Sequence, residues 1–187
     1  MAVVIPTIPV GSTTTVTLKS SAIDQSPYLG GPVQRVARLG DKWSYSVEMR
    51  PMQAGQAQLL VARLLQGLSE KVLVPINLSG VNLRNQVDVT VVNGAGKTLT
   101  FAGSAAGKTE GQFFSLVKNG VRYLHKITTI SGNTITFLPS LKVALSGGEA
   151  LEFAAPKIEG FLEGSEQGFT VGMAENLGLS FKVNEAQ

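Results

Sequence analysis

Trp43-Ser44-Tyr45-Ser46-Val47-Glu48-Met49-Arg50, followed at once by Pro51, decides the fold. In an extended chain Trp43, Tyr45, Val47 and Met49 share one face, and Ser44, Ser46, Glu48 and Arg50 share the other. This period of two predicts a half-buried β-strand. Pro51, with no backbone N–H, ends it. The period then changes. From Gln53 onward Ala57, Leu60, Val61, Leu64, Leu65 and Leu68 recur at helical spacing, with Gly67 near the end, which predicts one helix over 53–68 with its apolar stripe turned to the core. Val72-Leu73-Val74-Pro75 returns to extended chain.

Working outward, residues 1–11 are apolar and broken by Pro6 and Pro9, so they read as an extended arm. Thr13–Lys19 is β-branched and predicts a strand, residues 20–33 are turn-rich, and Val33–Leu39 predicts another strand before Gly40-Asp41 turns the chain. Downstream, six short strands are expected at Val87–Val92, Leu99–Phe101, Phe113–Val117, Val121–Ile127, Thr134–Phe137 and Ala150–Phe153. Asn119-Gly120 between apolar runs is a two-residue hairpin signal, and Ser131-Gly132-Asn133 is another turn. Six strands without a helical pattern among them predict a small barrel or sandwich. Residues 157–168 read as a solvated Glu- and Gly-containing connection to a last strand pair, Gly168–Gly172 and Leu177–Val183.

Composition narrows the function. Of 187 residues 16% are charged, against roughly 25% in an average domain, while 43% are hydrophobic and 21 are Gly. Disorder requires the opposite balance. The net charge of +3 is spread over single residues such as Lys19, Arg35, Arg38, Arg50 and Arg63. A nucleic-acid binder gathers its cations on one face, so no specific nucleic-acid partner is expected. The absence of cysteine excludes disulfides, thiol catalysis and iron–sulfur ligation. No apolar run reaches the ~18 residues of a membrane span, and Met1–Pro6 lacks the basic start of a secretory signal. Few charges suit a surface covered by partners, because interface cores are depleted in charge.

Candidate chemistry is sparse. Gly-Lys-Thr occurs at 96–98 and 107–109, but a phosphate-binding loop needs Gly six residues before the Lys, where Val91 and Ala102 stand; both sites read as turns or loop tips. His125, the single histidine, lies in an expected strand with no nucleophile elbow in the chain. One His and no Cys do not make a zinc site. Glu149 and Glu152 are an odd number apart and point to opposite faces of a strand, and Glu159, Glu163 and Glu166 lie in the connection read as solvated. Phe113 and Phe114 are adjacent and face opposite ways, and Tyr123 beside Arg122 and Lys126 faintly echoes a single-strand-binding surface. The residues therefore predict no catalytic, cofactor or metal site, and no enzyme.

Several segments resemble a known family. Ser26-Pro27-Tyr28-Leu29-Gly30-Gly31, Arg35-Val36-Ala37-Arg38, the Trp43–Met52 strand with its Pro51-Met52 pair, the helix ending Leu64-Leu65-Gln66-Gly67-Leu68, and Val72–Ile76 follow the order seen in tail proteins of tailed bacteriophages. Val121–Ile127, Thr134–Leu141 with its Pro139-Ser140-Leu141, and the closing Leu179–Ala186 fit the same pattern, which covers about residues 20–187. The family often has a small residue before a Phe-rich segment after the helix, where this chain reads Leu68-Ser69-Glu70-Lys71-Val72-Leu73.

The resemblance, to distal tail proteins, implies a mainly β fold with one helix: a split β-barrel over 1–77 plus 155–187, and a smaller β domain over 78–154 inserted near Asn77 and rejoining near Pro156. It implies a virion protein made in the host cytoplasm that forms a ring, commonly sixfold, joining tail tube to hub and fibres, with no membrane partner. Val3, Val4, Ile5, Ile8 and Val10 of the apolar arm, and the Gly-rich loops of 93–112, are the expected contacts between subunits. Two alternatives stand beside this: a head–tail connector or tube-completion protein, and a carbohydrate-binding module presenting Tyr123 and Phe113 to a host glycan.

Overall fold

The structure, a computed structural model, describes residues 2–28, 30–36, 38–76, 86–171 and 176–186. In chain order the strands before the helix are β1 (Val3–Val4), β2 (Thr13–Lys19), β3 (Ile23–Gln25), β4 (Gln34–Val36), β5 (Lys42–Glu48) and β6 (Met52–Gln53). The helix α1 (Ala54–Gln66) and β7 (Val72–Pro75) follow. Next come β8 (Val89–Ala95), β9 (Thr98–Ala102), β10 (Phe113–Lys118), β11 (Val121–Ser131), β12 (Thr134–Leu138) and β13 (Ala150–Glu152). The chain ends with β14 (Lys157–Leu162), β15 (Phe169–Val171) and β16 (Asn176–Glu185). The protein is mainly β with a closed barrel and additional sheets.

The larger sheet runs β1-β7-β14-β16-β5-β2, with β6 and β15 also paired to β16. β1 is parallel to β7 and the other neighbours are antiparallel. Tyr45 and Val47 are fully buried and Trp43 and Met49 nearly so, as their alternation requires. Ser44 departs from that alternation: it is also buried, because β5 is an interior strand and Ser44 lies between Thr17 of β2 and Asn184 of β16.

Ala57, Leu60 and Leu64 turn the helix onto this core, each large aliphatic contributing roughly 1.5–3 kcal/mol. Leu65 and Leu68, expected on the same stripe, are exposed. Leu65 is turned about 100° from Leu64, and Leu68 lies past the helix end. At Gly67 a Cβ would meet Val72 Cγ1 at 2.4 Å, so the return into β7 requires glycine.

Three local expectations change. The turn-rich 20–33 region contains β3, and the Val33–Leu39 strand shortens to Gln34–Val36. The supposed connection 157–168 begins with β14, an interior strand between β7 and β16. Its Glu159 is only 5% exposed. Gly160 hid this strand in the sequence, yet the pairing requires it, since a Cβ there would sit 2.0 Å from the Asn184 carbonyl oxygen.

The barrel closes as β10-β11-β12-β9-β8-β13 around Phe101, Phe114, Phe137, Phe153 and smaller aliphatics. Its strands all come from Val89–Glu152, and every strand of the larger sheet comes from outside that span. The expected insertion point at Asn77 lies outside the described residues. Asn119 and Gly120 both take positive φ, 51° and 77°, in the two-residue turn joining Lys118 to Val121.

Adjacent residues on a strand face opposite ways, and β10 uses this to join the two cores. Phe114 points into the barrel, stacked 5.2 Å from Phe153. Phe113 belongs to the larger core and meets Trp43 edge-on at 5.2 Å. Ser115 adds a polar stitch: its hydroxyl accepts the Lys157 N–H and donates to the Lys157 carbonyl.

Candidate assembly surface

The β2–β5 ladder ends at Lys19 opposite Lys42. Beyond it the chain continues as a second ribbon. The Asp41 carboxylate accepts the Ser21 N–H at 2.7 Å, and the Ser21 hydroxyl accepts the Gly40 N–H at 2.9 Å. The Ser21 N–H holds the Asp41 carboxyl below its usual range. These bonds act as a collar. Past the collar β3 and β4 pair, among the described residues, only with each other, Ile23 opposite Val36 and Gln25 opposite Gln34, with an exposed Asp24–Arg35 ion pair at 3.5 Å.

The ribbon exposes apolar side chains beside its polar and charged ones. Ile23, Val33 and Leu39 are exposed and Tyr28 is fully exposed. A lone two-stranded hairpin is marginal in water.

The apolar arm behaves differently from the expectation placed on it. Val3, Ile5 and Ile8 are buried in the core of their own chain, where the Val3 and Ile5 N–H groups donate to the Lys71 and Leu73 carbonyls. Alternation leaves Val4 and Val10 exposed. Of the five proposed contacts, only these two are open to a neighbour in this conformation, because pairing with β7 turns the others inward.

The residues considered for chemistry are dispersed. His125 is buried between Phe114 and Phe137, with Nδ1 3.0 Å from the Pro139 carbonyl. Desolvation, with a further push from Lys142, lowers its pKa to about 3. Glu149 accepts from Ser146 N–H and is paired with Lys118, which lowers it to about 2. Glu152 forms a bidentate pair with Arg122 at 3.0 Å from both Nε and Nη2. Glu163 binds Lys182 on the surface. Among the described residues no group of three or more His, Asp or Glu side chains is placed to hold a metal ion.

Three sequence expectations are corrected. Glu159 is not solvated: it accepts the Arg122 N–H at 2.9 Å and lies 3.8 Å from Lys71. Phe113 is 5% exposed beneath Trp43, and Tyr123 is partly buried against the barrel core. They do not form an open platform for a glycan. Gly96-Lys97 is the two-residue turn between β8 and β9, as expected, but Lys108 of the second Gly-Lys-Thr is buried rather than at a loop tip.

Two carboxylates that sequence reading missed hold the barrel to the larger sheet. β11 pairs with β10 over 121–126 and with β12 only from Lys126 onward. The free edge of its first half is filled by Glu159 on the Arg122 N–H and by Glu185 on the Leu124 N–H at 3.0 Å. Glu185 also accepts the Trp43 N–H at 3.1 Å and faces Lys142 at 3.8 Å. The only sequence signal was a Glu closing a strand.

Among the described residues no helix is long and apolar enough to cross a membrane. No family model matches the chain, and no curated protein matches it.

Proposed function

We propose that this chain is a non-enzymatic structural subunit of a bacteriophage tail, a ring near the distal end that joins the tail tube to hub and fibres. The observation that carries the reading is the separate two-stranded ribbon of β3 and β4 with Ile23, Tyr28, Val33 and Leu39 exposed on and beside it. The order of sequence segments shared with distal tail proteins supports it, as does a surface poor in charge. Ring closure follows if the ribbon of each copy seats on the body of the next, a head-to-tail contact that closes when the rotation allows. A hexamer made in the host cytoplasm and carried in the virion is the form this reading expects.

Light scattering on the full chain tests it. The unaltered protein gives the mass of a closed ring, and Tyr28→Glu with Val33→Ser reduces it to the mass of one chain. A wild-type protein that stays monomeric up to the highest soluble concentration overturns the reading. Imaging virions with the chain labelled separates a distal ring from a head–tail connector.

A further inference from the structure

The mouth of the small barrel holds a cleft that the ribbon contact does not use, part of it in the 93–112 loops expected to meet neighbouring subunits. Pairing of Thr90 with Ala102 and of Val89 with Leu151 brings the start of β8, the end of β9 and the end of β13 to one end of the barrel. Val87, Val89, Ala102 and Ala106 line a cleft of about 640 Å³ there, together with Ser104 and Lys108. That volume falls within the ~300–1,000 Å³ of small-molecule sites, which favour barrel mouths.

Lys108 is the unusual member. It is 8% exposed, with Nζ 4.7 Å from the Phe153 ring centre and 5.3 Å from that of Phe101. Nζ donates to the Ser104 carbonyl at 3.2 Å and the Val87 carbonyl at 3.5 Å. An ammonium has three N–H donors, so one remains. Burying an ammonium is costly without a counter-charge, and Lys108 forms no ion pair among the described residues. Asp88 also lines the cleft and its charge acts on Lys108 from beyond ion-pair distance, while its Oδ1 accepts the Phe153 and Ala154 N–H groups.

We propose that the barrel mouth binds a small amphipathic anion, an apolar chain or ring bearing one carboxylate, with the carboxylate on Lys108 and the body along Val87, Val89, Ala102 and Ala106. The charge makes the head group anionic, the walls make the body apolar, and the cleft sets the size. Every copy of the chain would carry the site.

Titration calorimetry of the full chain with sodium octanoate, and separately with 1-octanol, tests the proposal. Octanoate is expected to bind saturably at one site per chain, with octanol weaker by about tenfold or more. Lys108→Met keeps an unbranched side chain of similar length and removes the charge; it should weaken octanoate by about tenfold or more without changing octanol binding. Ala106→Trp fills the cleft from an exposed position, leaves Lys108 in place, and should abolish both. Absent octanoate binding, equal affinity for octanoate and octanol, or unchanged octanoate binding in either variant overturns the proposal. If Lys108→Met does not fold, Ala106→Trp and the octanol comparison decide.

Discussion

Glu185 accepts the backbone N–H of Leu124 at 3.0 Å, across a separation of 61 residues. Its other oxygen accepts the Trp43 N–H, so one side chain satisfies backbone donors on a barrel strand and on a sheet strand. Glu185→Ala leaves two buried donors without acceptors, at a cost of roughly 2–5 kcal/mol. Glu185→Gln retains one acceptor and should cost less. Urea unfolding of both variants checks the order, and an alanine variant as stable as wild type would refute the clamp.

The same residue has a pH signature. Burial pushes the Glu185 carboxyl above its usual value despite its donors. A raised folded pKa contributes stability that is fully present below the unfolded value and is lost as pH rises through the folded one. Glu185→Gln should therefore lack this loss when its stability is followed from about pH 4 upward.

His125 and Glu149 act in the opposite direction. The folded protein resists protonating His125 until about pH 3, whereas the unfolded chain takes up the proton near the ordinary imidazole value of 6.5. Stability must fall as pH drops through that window. Glu149, held at about 2 by Ser146 and Lys118, loses its contribution between its ordinary value of 4.5 and about 2. Thermal melts of His125→Phe should lose part of the slope between pH 6 and pH 4. Melts of Glu149→Gln should differ from wild type above pH 5 by on the order of 1 kcal/mol and converge in acid.

Trp43 and Phe113 couple the two cores by their edge-on contact. Either single alanine variant should cost roughly 3–5 kcal/mol. A double-mutant cycle should give a coupling of about 0.5–1.5 kcal/mol, and strict additivity would mean that the contact carries no energy of its own.

Gly160→Ala is the most damaging small change expected. Its methyl group would overlap the Asn184 carbonyl oxygen at the first pair of the β14–β16 register, on a strand also held by β7, where neither backbone can yield without breaking the ladder. A loss above about 3 kcal/mol is expected, read as a fall in soluble yield and melting temperature. A melting temperature within a degree of wild type would mean that the strands can separate locally at little cost.

The legible parts of the sequence were those whose pattern is local. The Trp43–Met49 alternation, the Ala57–Leu64 helical face and the Asn119-Gly120 turn are each written in consecutive or regularly spaced residues, and side-chain periodicity together with backbone sterics is sufficient to read them. β14 was illegible because Glu159 and Gly160 look like loop residues until the Arg122 N–H and the Asn184 carbonyl are brought against them. The arm was legible as extended chain, but its inward turn depended on β7, nearly 70 residues away in sequence.

By itself, then, the sequence determined a charge-poor, mainly β chain with one helix, because composition and periodicity are properties of neighbouring residues. Tertiary structure alone decided which carboxylates are buried, which Phe serves which core, and that Lys108 lines the mouth of a barrel. Each of those depends on desolvation by residues distant in the chain, and the burial of a single charged residue leaves no mark in local spacing.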